Sequence, residues 1–403
     1  MSRTIELNQP ATGPLAGVKV VDFTAIYSGP IATAILGDQG ADVVKIEAAD
    51  GDLMRRGRPS RNRVSGAFAR MNRNKRSIVL DVRKDEGHAV AMKLLKDADV
   101  LVENFRPGVM QRLRLGYGEV SARNPRIIYL SINGVGATGP YAKRRMYDAV
   151  IQAISGMASI QADMETGKPQ MINTLACDKI TSLTAAQSVA AALYAREKTG
   201  KGQYIELSML DASLHFLWPD GFSNFTFLGE GVESAPYLDH SQFVRATADG
   251  YVAVMPVKAA EWEGAFRALD LPNLYEDERF ASLDARLANM ALWQDIINAA
   301  YARFTTEEIC ARLESEDVPY SHINDRPVVP DDPQIDAMDA LHHFEHPVGG
   351  PMRQPRPPAQ FHGTPSNLRL ASPEMGEHGA DILAALGYDA AQITALREQG
   401  ILG

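Results

Sequence analysis

Cysteine is scarce: only Cys177 and Cys310 occur in 403 residues. Two cysteines cannot build a disulfide framework or a Cys-type four-ligand zinc site, and they suit a reducing compartment. Long apolar runs are also missing. No stretch reaches the ~18 apolar residues that a spanning helix needs. Even the Ala-rich segment Ile180–Ala195 is interrupted by Thr181, Ser182, Thr184, Gln187 and Ser188. The opening MSRTIELNQP lacks an apolar h-region, so no secretory leader is expected. A positive balance is missing too: 41 basic against 50 acidic residues leave −9, which excludes a general nucleic-acid binder. These absences lead us to expect a cytoplasmic protein with neither membrane nor nucleic acid as partner.

What is present is ordinary globular composition, 45% hydrophobic and 23% charged, over a length that suits two domains or three. Val18–Phe23, Ala41–Ile46, Ile78–Asp81, Asp99–Val102, Arg126–Ile132 and Tyr204–Met209 read as short strands. Helical patterns fall between them, at Ile31–Gln39, at Asp85–Lys96 and from Asp178 to about Lys198. Such alternation argues for βαβ units and an α/β fold with a parallel sheet. Ligands of such sheets bind beyond the carboxyl ends of strands, here after Phe23, Ile46, Val102 and Ile132. Phe222–Asp239 reads as an irregular connection. Beyond it come a strand at Tyr251–Pro256 and helices at Ala259–Leu269 and Leu292–Phe304. Pro347–Pro365 reads as an extended linker, and Gly379–Gly387 with Ala390–Gln399 as a final helical pair.

One segment breaks the acidic balance. Leu53–Leu80 holds nine basic residues (Arg55, Arg56, Arg58, Arg61, Arg63, Arg70, Arg73, Lys75 and Arg76) and no acid. Guanidinium groups bind phosphate through paired charge-assisted hydrogen bonds, so this stretch suits a polyanionic ligand; a solvated basic face is the plain alternative. Gly134–Gly139 spells GxGxxG after a strand, but not at the first βα turn, and Pro140 follows at once. It reads as a flexible glycine loop rather than a dinucleotide fingerprint. His342–His346 spells H-x-x-E-H, yet Pro347 disfavours the helix that this metal pattern requires, so no metal site is expected. Asp178 opens the long helix. An N-cap role is the ordinary reading, but the helix dipole also keeps such a carboxylate ionised, and an ionised carboxylate can act as a covalent nucleophile. Cys177 is the rival nucleophile, with no His near it in sequence.

Several segments together resemble the class III (family III, CaiB/BaiF) CoA-transferases, which include formyl-CoA and carnitine CoA-transferases. They are GPLAGVKVVDFT at Gly13–Thr24, GADVVKIE at Gly40–Glu47, NRNKRSIVLD at Asn72–Asp81, DVLVENFRPG at Asp99–Gly108 and REKTGKGQYIELSMLDA at Arg196–Ala212. The late FEHPVGGP and MGEHGADIL fit as well. The resemblance implies a Rossmann-like large domain of residues 1–222 and 333–403, a smaller α+β domain of residues 223–332, and an interlocked homodimer. It implies CoA transfer from an acyl-CoA to a free carboxylic acid through an aspartyl-CoA thioester, with Asp178 as the catalytic residue. CoA would then be a substrate, and no permanently bound cofactor is expected. Positions matching the family's CoA contacts are Ile26, Tyr27, Met71, Asn72, Arg73, Asn74, Asn104, Phe105, Arg106, Arg112, Arg145, Met146, Tyr147 and Asp148. Formyl-CoA enzymes carry Gln at the position of Tyr27 and a glycine-rich loop in a longer middle insert, so formate–oxalate exchange is not expected. Racemases of the superfamily, the alternative function, carry His at the position of Tyr147; a phenol, ordinarily titrating near ~10, suits α-proton abstraction poorly. Tyr27, Met146, Tyr147 and Trp218 hint at an acyl pocket with apolar walls.

Overall fold

The structure is a computed structural model that describes residues 4–163, 166–234 and 240–403. The chain divides into two compact units, Met1–Glu230 with Gln334–Gly403, and Gly231–Pro333.

The first unit is organised on six strands: β1 (Lys19–Asp22), β2 (Asp42–Glu47), β3 (Lys75–Val79), β4 (Val100–Glu103), β5 (Ile128–Asn133) and β6 (Gln203–Ser208). Their order is β3-β2-β1-β4-β5-β6, and every neighbouring pair runs parallel. This is the doubly wound α/β arrangement, with its topological switch between β1 and β4. The short Val/Ile-rich runs follow from it, because a parallel sheet is covered on both faces. Adjacent residues on a strand point to opposite faces. Val20, Val100 and Val102 pack with Ala185 and Val189 of the long helix, whereas Val21 and Leu101 pack with Leu95, Ile382 and Leu383. Truncating a fully buried residue such as Leu101 to Ala would cost about 2–5 kcal/mol.

The helices that bear on function are α1 (Ser28–Asp38), α2 (Asp85–Lys96), α3 (Asp148–Ile154), α4 (Ala176–Thr199) and α5 (Met209–Gly221). Helix α1 starts three residues before the expected Ile31, because Pro30 is well suited to a first turn. Helix α4 starts at Ala176, with Leu175 at its N-cap, so Asp178 occupies the third helical position and is not the cap. The sequence pattern does not announce α3 or α5: α3 is short, and α5 carries Pro219, which reads as a breaker.

The second unit pairs β7 (Val244–Ala246), β8 (Tyr251–Val254) and β9 (Tyr320–His322) antiparallel. Helices α6 (Ala259–Ala268), α7 (Met290–Tyr301) and α8 (Thr306–Ser315) surround its aromatic core. Thr305 and Glu308 form a capping box that starts α8, an element not read from the sequence. Positions 235–239 of the expected irregular connection lie outside the described residues.

The Pro-rich linker expectation is overturned up to Pro355, while residues 356–365 carry neither helix nor strand. Leu341–His346 and Gly350–Pro355 form an antiparallel hairpin. A two-stranded ribbon consists only of edges, so Pro351 and Pro355 need not donate to a ladder. The H-x-x-E-H residues therefore lie on a strand, where His342 and His346 share one face and His343 takes the other. His346 is buried; its Nδ1 accepts the Val348 and Gly349 N–H groups at 3.1 and 3.0 Å, and so fixes the hairpin turn.

Candidate active site

At the sheet's switch point the chain leaves β1 and β4 side by side. Asn104 ties the two exits together: its Oδ1 accepts from Ala25 N–H at 2.9 Å, and its Nδ2 donates to the Ala25 carbonyl at 2.8 Å. The next residue, Ile26, has φ of 73°, an outlier for a β-branched side chain. Such strain persists where the surroundings over-determine it, and it concentrates at functional sites. Ile26 lines a cavity of about 280 Å³ whose walls also include Asn104–Pro107, Ile132–Gly136, Arg144–Tyr147, Asp178 and Met209. Gly134 is required there, since an added Cβ would sit 2.5 Å from Cβ of Met146. A neighbouring cavity of about 570 Å³ shares Arg106, Pro107 and Ala142 and adds Arg112, Lys143 and Gly139. Between them the two cavities are lined by five cations, Arg106, Arg112, Lys143, Arg144 and Arg145, and the first is also lined by a carboxyl group.

That carboxyl is Asp178, nine-tenths buried in the first turn of α4. Asp148, the first residue of α3, accepts the Asp178 backbone N–H with Oδ2 at 3.0 Å and the Gln152 amide with Oδ1 at 2.6 Å. It thereby satisfies one orphan donor of α4 that no side chain at the N-cap serves. Burial, with the Asp148 carboxylate second, pushes the Asp178 carboxyl up to about 6; hydrogen bonding from the Ser28 hydroxyl and backbone N–H opposes that rise. Ser28 is the first residue of α1, so two helix N-termini meet at this carboxyl. The Ser182 hydroxyl reinforces the junction, 2.7 Å from the Ser28 carbonyl and 2.6 Å from that of Asp178. Gly29 permits the close approach of α1, because a Cβ there would lie 2.3 Å from Thr24 Cγ2. Cys177 is fully buried, and burial raises its thiol to about 11, which leaves it protonated and a poor nucleophile near neutrality.

The expected contact residues separate into groups. Ile26, Asn104, Phe105, Arg106, Arg145, Met146, Tyr147 and Asp178 line the first cavity, and Arg112 the second. Tyr27 is the residue before α1 and does not line either; nor does Trp218, which stacks on Phe222. Asp148 stands behind Asp178 rather than in the wall. Met71, Asn72, Arg73 and Asn74 are all buried away from both cavities. Pro107, Gly134–Gly136, Lys143 and Met209 line the cavities although no sequence motif assigns them there. The position of the glycine loop just after the strand Ile128–Asn133 is the available signal.

The basic stretch needs the largest revision. Arg73 makes a two-pronged pair with Asp38 at 2.9 and 2.6 Å, and Lys75 pairs with Asp22 at 3.0 Å. Arg55 pairs with Glu47 and Arg76 with Asp42. Arg61 donates to the carbonyls of Gly349 and Pro351 in the hairpin turn. The counter-acids all precede the stretch in sequence and stand on or beside the neighbouring strands. Four of the nine cations, Arg61, Arg73, Lys75 and Arg76, therefore hold β3 to its sheet or the hairpin to the rest of the unit. Burial lowers the Lys75 ammonium to about 8 despite Asp22. Burial alone would raise Asp22, but Lys75 and Lys45, with hydrogen bonds from Thr24 and Thr33, bring it below its ordinary value.

Among the described residues no group of three or more His, Cys, Asp or Glu is arranged to hold a metal ion, and no helix is long and apolar enough to cross a membrane. Comparison with known proteins points one way. The human succinyl-CoA:glutarate CoA-transferase is 31% identical over 96% of this chain and 90% of its own. The formyl-CoA:oxalate CoA-transferase of Streptomyces avermitilis is 30% identical over 97% of this chain and 100% of its own. A crystal structure of a CaiB/BaiF family protein from Brucella suis superposes with a TM-score of 0.81 at 32% identity, covering 93% of this chain and 100% of that one. Residues 15–379 match the profile of CoA-transferase family III, so the chain belongs to that family and is an enzyme of the CoA-transferase type.

Proposed function

We propose that this enzyme moves CoA from an acyl-CoA thioester to a free carboxylic acid, with Asp178 as the nucleophile and an aspartyl-CoA thioester as the intermediate. The observation that carries this is the buried Asp178 carboxyl at the meeting of two helix N-termini, in a cavity that Arg106, Arg144 and Arg145 also line. The carboxylate attacks the acyl carbonyl, and the tetrahedral oxyanion collapses by expelling CoA thiolate. An acyl-aspartyl anhydride remains. The thiolate then attacks the aspartyl carbonyl, which releases the donor acid and leaves β-aspartyl-CoA. The acceptor carboxylate attacks that thioester, and the two steps run in reverse onto the new acid. Each step exchanges one activated acyl bond for another. Helix-terminal N–H donors favour both the ionised Asp178 and the oxyanions. A carboxyl titrating at about 6 is mostly ionised at pH 7 yet only weakly solvated, as a nucleophile should be.

Arg106, Arg112 and Lys143 are suited to the phosphates of CoA, and Phe105 to its adenine or pantetheine. The two named relatives act on different acids at nearly equal identity, so the acceptor is chosen by wall side chains rather than by the fold. Tyr147 and Met146 are the wall residues we assign to that choice. We further propose a cytoplasmic, interlocked homodimer with a large domain of residues 1–222 and 333–403 and a small one of 223–332. Phe227 and Leu228, 72% and 94% exposed in the single chain, support a partner that covers them.

The test is a carboxylate panel with succinyl-CoA or acetyl-CoA, following new thioesters by mass spectrometry. A CoA adduct should map to the peptide containing Asp178. Undiminished turnover by Asp178→Ala would end this reading.

A further inference from the structure

The second unit holds a cavity that none of the expected site residues reaches. It measures about 260 Å³ and lies wholly within Gly231–Pro333. Trp262, Tyr275, Trp293 and Tyr301 line it. Trp262 meets Trp293 edge-on at 5.3 Å between centroids, and Tyr275 stacks on Trp293 at 6.1 Å.

A buried cation stands in this aromatic wall. Arg245, central on β7, is 6% exposed. Its Nη1 donates to Gln294 Oε1 at 2.6 Å and to Asn298 Oδ1 at 2.8 Å, and Gln294 is held in turn by Gln242 at 3.0 Å. All three of these amides are neutral. Among the described residues no carboxylate pairs with Arg245, and both of its hydrogen bonds to side chains leave from Nη1, so that Nε and Nη2 are not used in them. The other buried Lys and Arg side chains each have an acid: Lys45 has Asp52, Arg73 has Asp38, Lys75 has Asp22 and Arg196 has Asp99. Arg245 is the exception among them, and it is the one that lines an aromatic cavity.

A buried guanidinium without a counter-ion is unfavourable, and the amide network fixes its direction without neutralising it. Two N–H-bearing nitrogens in a plane match a carboxylate, and the flat apolar walls match an aromatic body. We propose that this cavity is a binding site for a compact aromatic monocarboxylate, separate from the CoA-transfer site and independent of the reading given for it. The carboxylate pairs with Arg245, and the ring lies among Trp262, Tyr275 and Trp293.

Two of the chain's three tryptophans line this cavity, so Trp218→Phe leaves only those two as fluorescent reporters. The full-length Trp218→Phe protein should show saturable fluorescence change with phenylacetate. Phenylacetamide, equal in shape but neutral, should bind about tenfold more weakly or worse. The phenylacetate titration should be unmoved by saturating CoA and by adding Asp178→Asn. Arg245→Gln should erase the preference for acid over amide; if that variant does not fold, the acid–amide comparison in the parent still decides. Equal binding of acid and amide, no saturable change, or displacement by CoA would each overturn the proposal.

Discussion

Replacing Asp178 by Asn should remove activity and at the same time strengthen the fold. The folded carboxyl titrates at about 6, against 3.8 for an unperturbed Asp. Its charged form is therefore disfavoured in the native state. Each pH unit between those two values corresponds to ~1.36 kcal/mol, so above about pH 6 the wild-type fold carries a penalty on the order of 2–3 kcal/mol. As pH falls from about 6 to about 4, the native state takes up a proton that the unfolded chain does not yet hold, and the penalty disappears. Asn at 178 carries no charge, keeps an oxygen for the Ser28 donors and leaves the Asp148 contact to the backbone N–H intact. The variant should thus exceed the wild type in stability at pH 8 and match it near pH 4. Urea unfolding at both pH values measures this, alongside a CoA-transfer assay in which the rate should fall roughly a thousandfold or more. An Asn variant that is less stable at pH 8, or a difference that does not change with pH, would refute the electrostatic account.

Asp148→Asn removes the carboxylate that helps to raise Asp178, so the acid limb of the pH profile of kcat/KM should move to lower pH; a move upward would contradict it. Arg106→Gln and Arg112→Gln should each raise KM for acyl-CoA by about tenfold with kcat less affected, and the gap should narrow at high salt. Gly134→Val should drive Met146 out of the cavity wall, raising KM for acyl-CoA and costing about 1–3 kcal/mol in a thermal melt. Lys75→Met leaves Asp22 buried without its nearest cation and should cost about 3–5 kcal/mol, seen as lost soluble yield or a lowered Tm.

The parallel sheet is legible in the sequence because fully buried strands such as Ile128–Asn133 are written as dense apolar runs. β3 is legible only from Ile78 onward, since its first residues, Lys75 and Arg76, look like surface until their acids on other strands are known. The same blindness misreads the basic stretch. Charge counted along the chain is local, whereas Asp22, Asp38, Asp42 and Glu47 neutralise it across the sheet. Asp178 can be found from its place near a helix start, but its elevated titration cannot. That depends on Asp148, thirty positions earlier, and on burial between two helices. The cationic lining from Arg106 and Lys143 is half visible, through strand-end logic for the first and through nothing periodic for the second.

The distance in sequence between β3 and residues 401–403 has a consequence for the birth of the chain on the ribosome. Ile401 and Leu402 are buried against β3: the Ile401 carbonyl accepts the Asp81 N–H at 2.9 Å, Leu402 bridges to Leu80, and Gly403 N–H reaches the Val79 carbonyl at 3.2 Å. β3 is the outermost strand of its sheet. At ~5–20 residues per second, roughly 16–64 seconds pass between the synthesis of Val79 and the arrival of the segment that covers its end. Throughout that interval the growing polypeptide presents an unfinished sheet margin to its neighbours on the polysome, the kind of margin that invites strand pairing between chains. Expression at lowered temperature, or with chaperones that shield nascent strands, should therefore raise the yield of this enzyme.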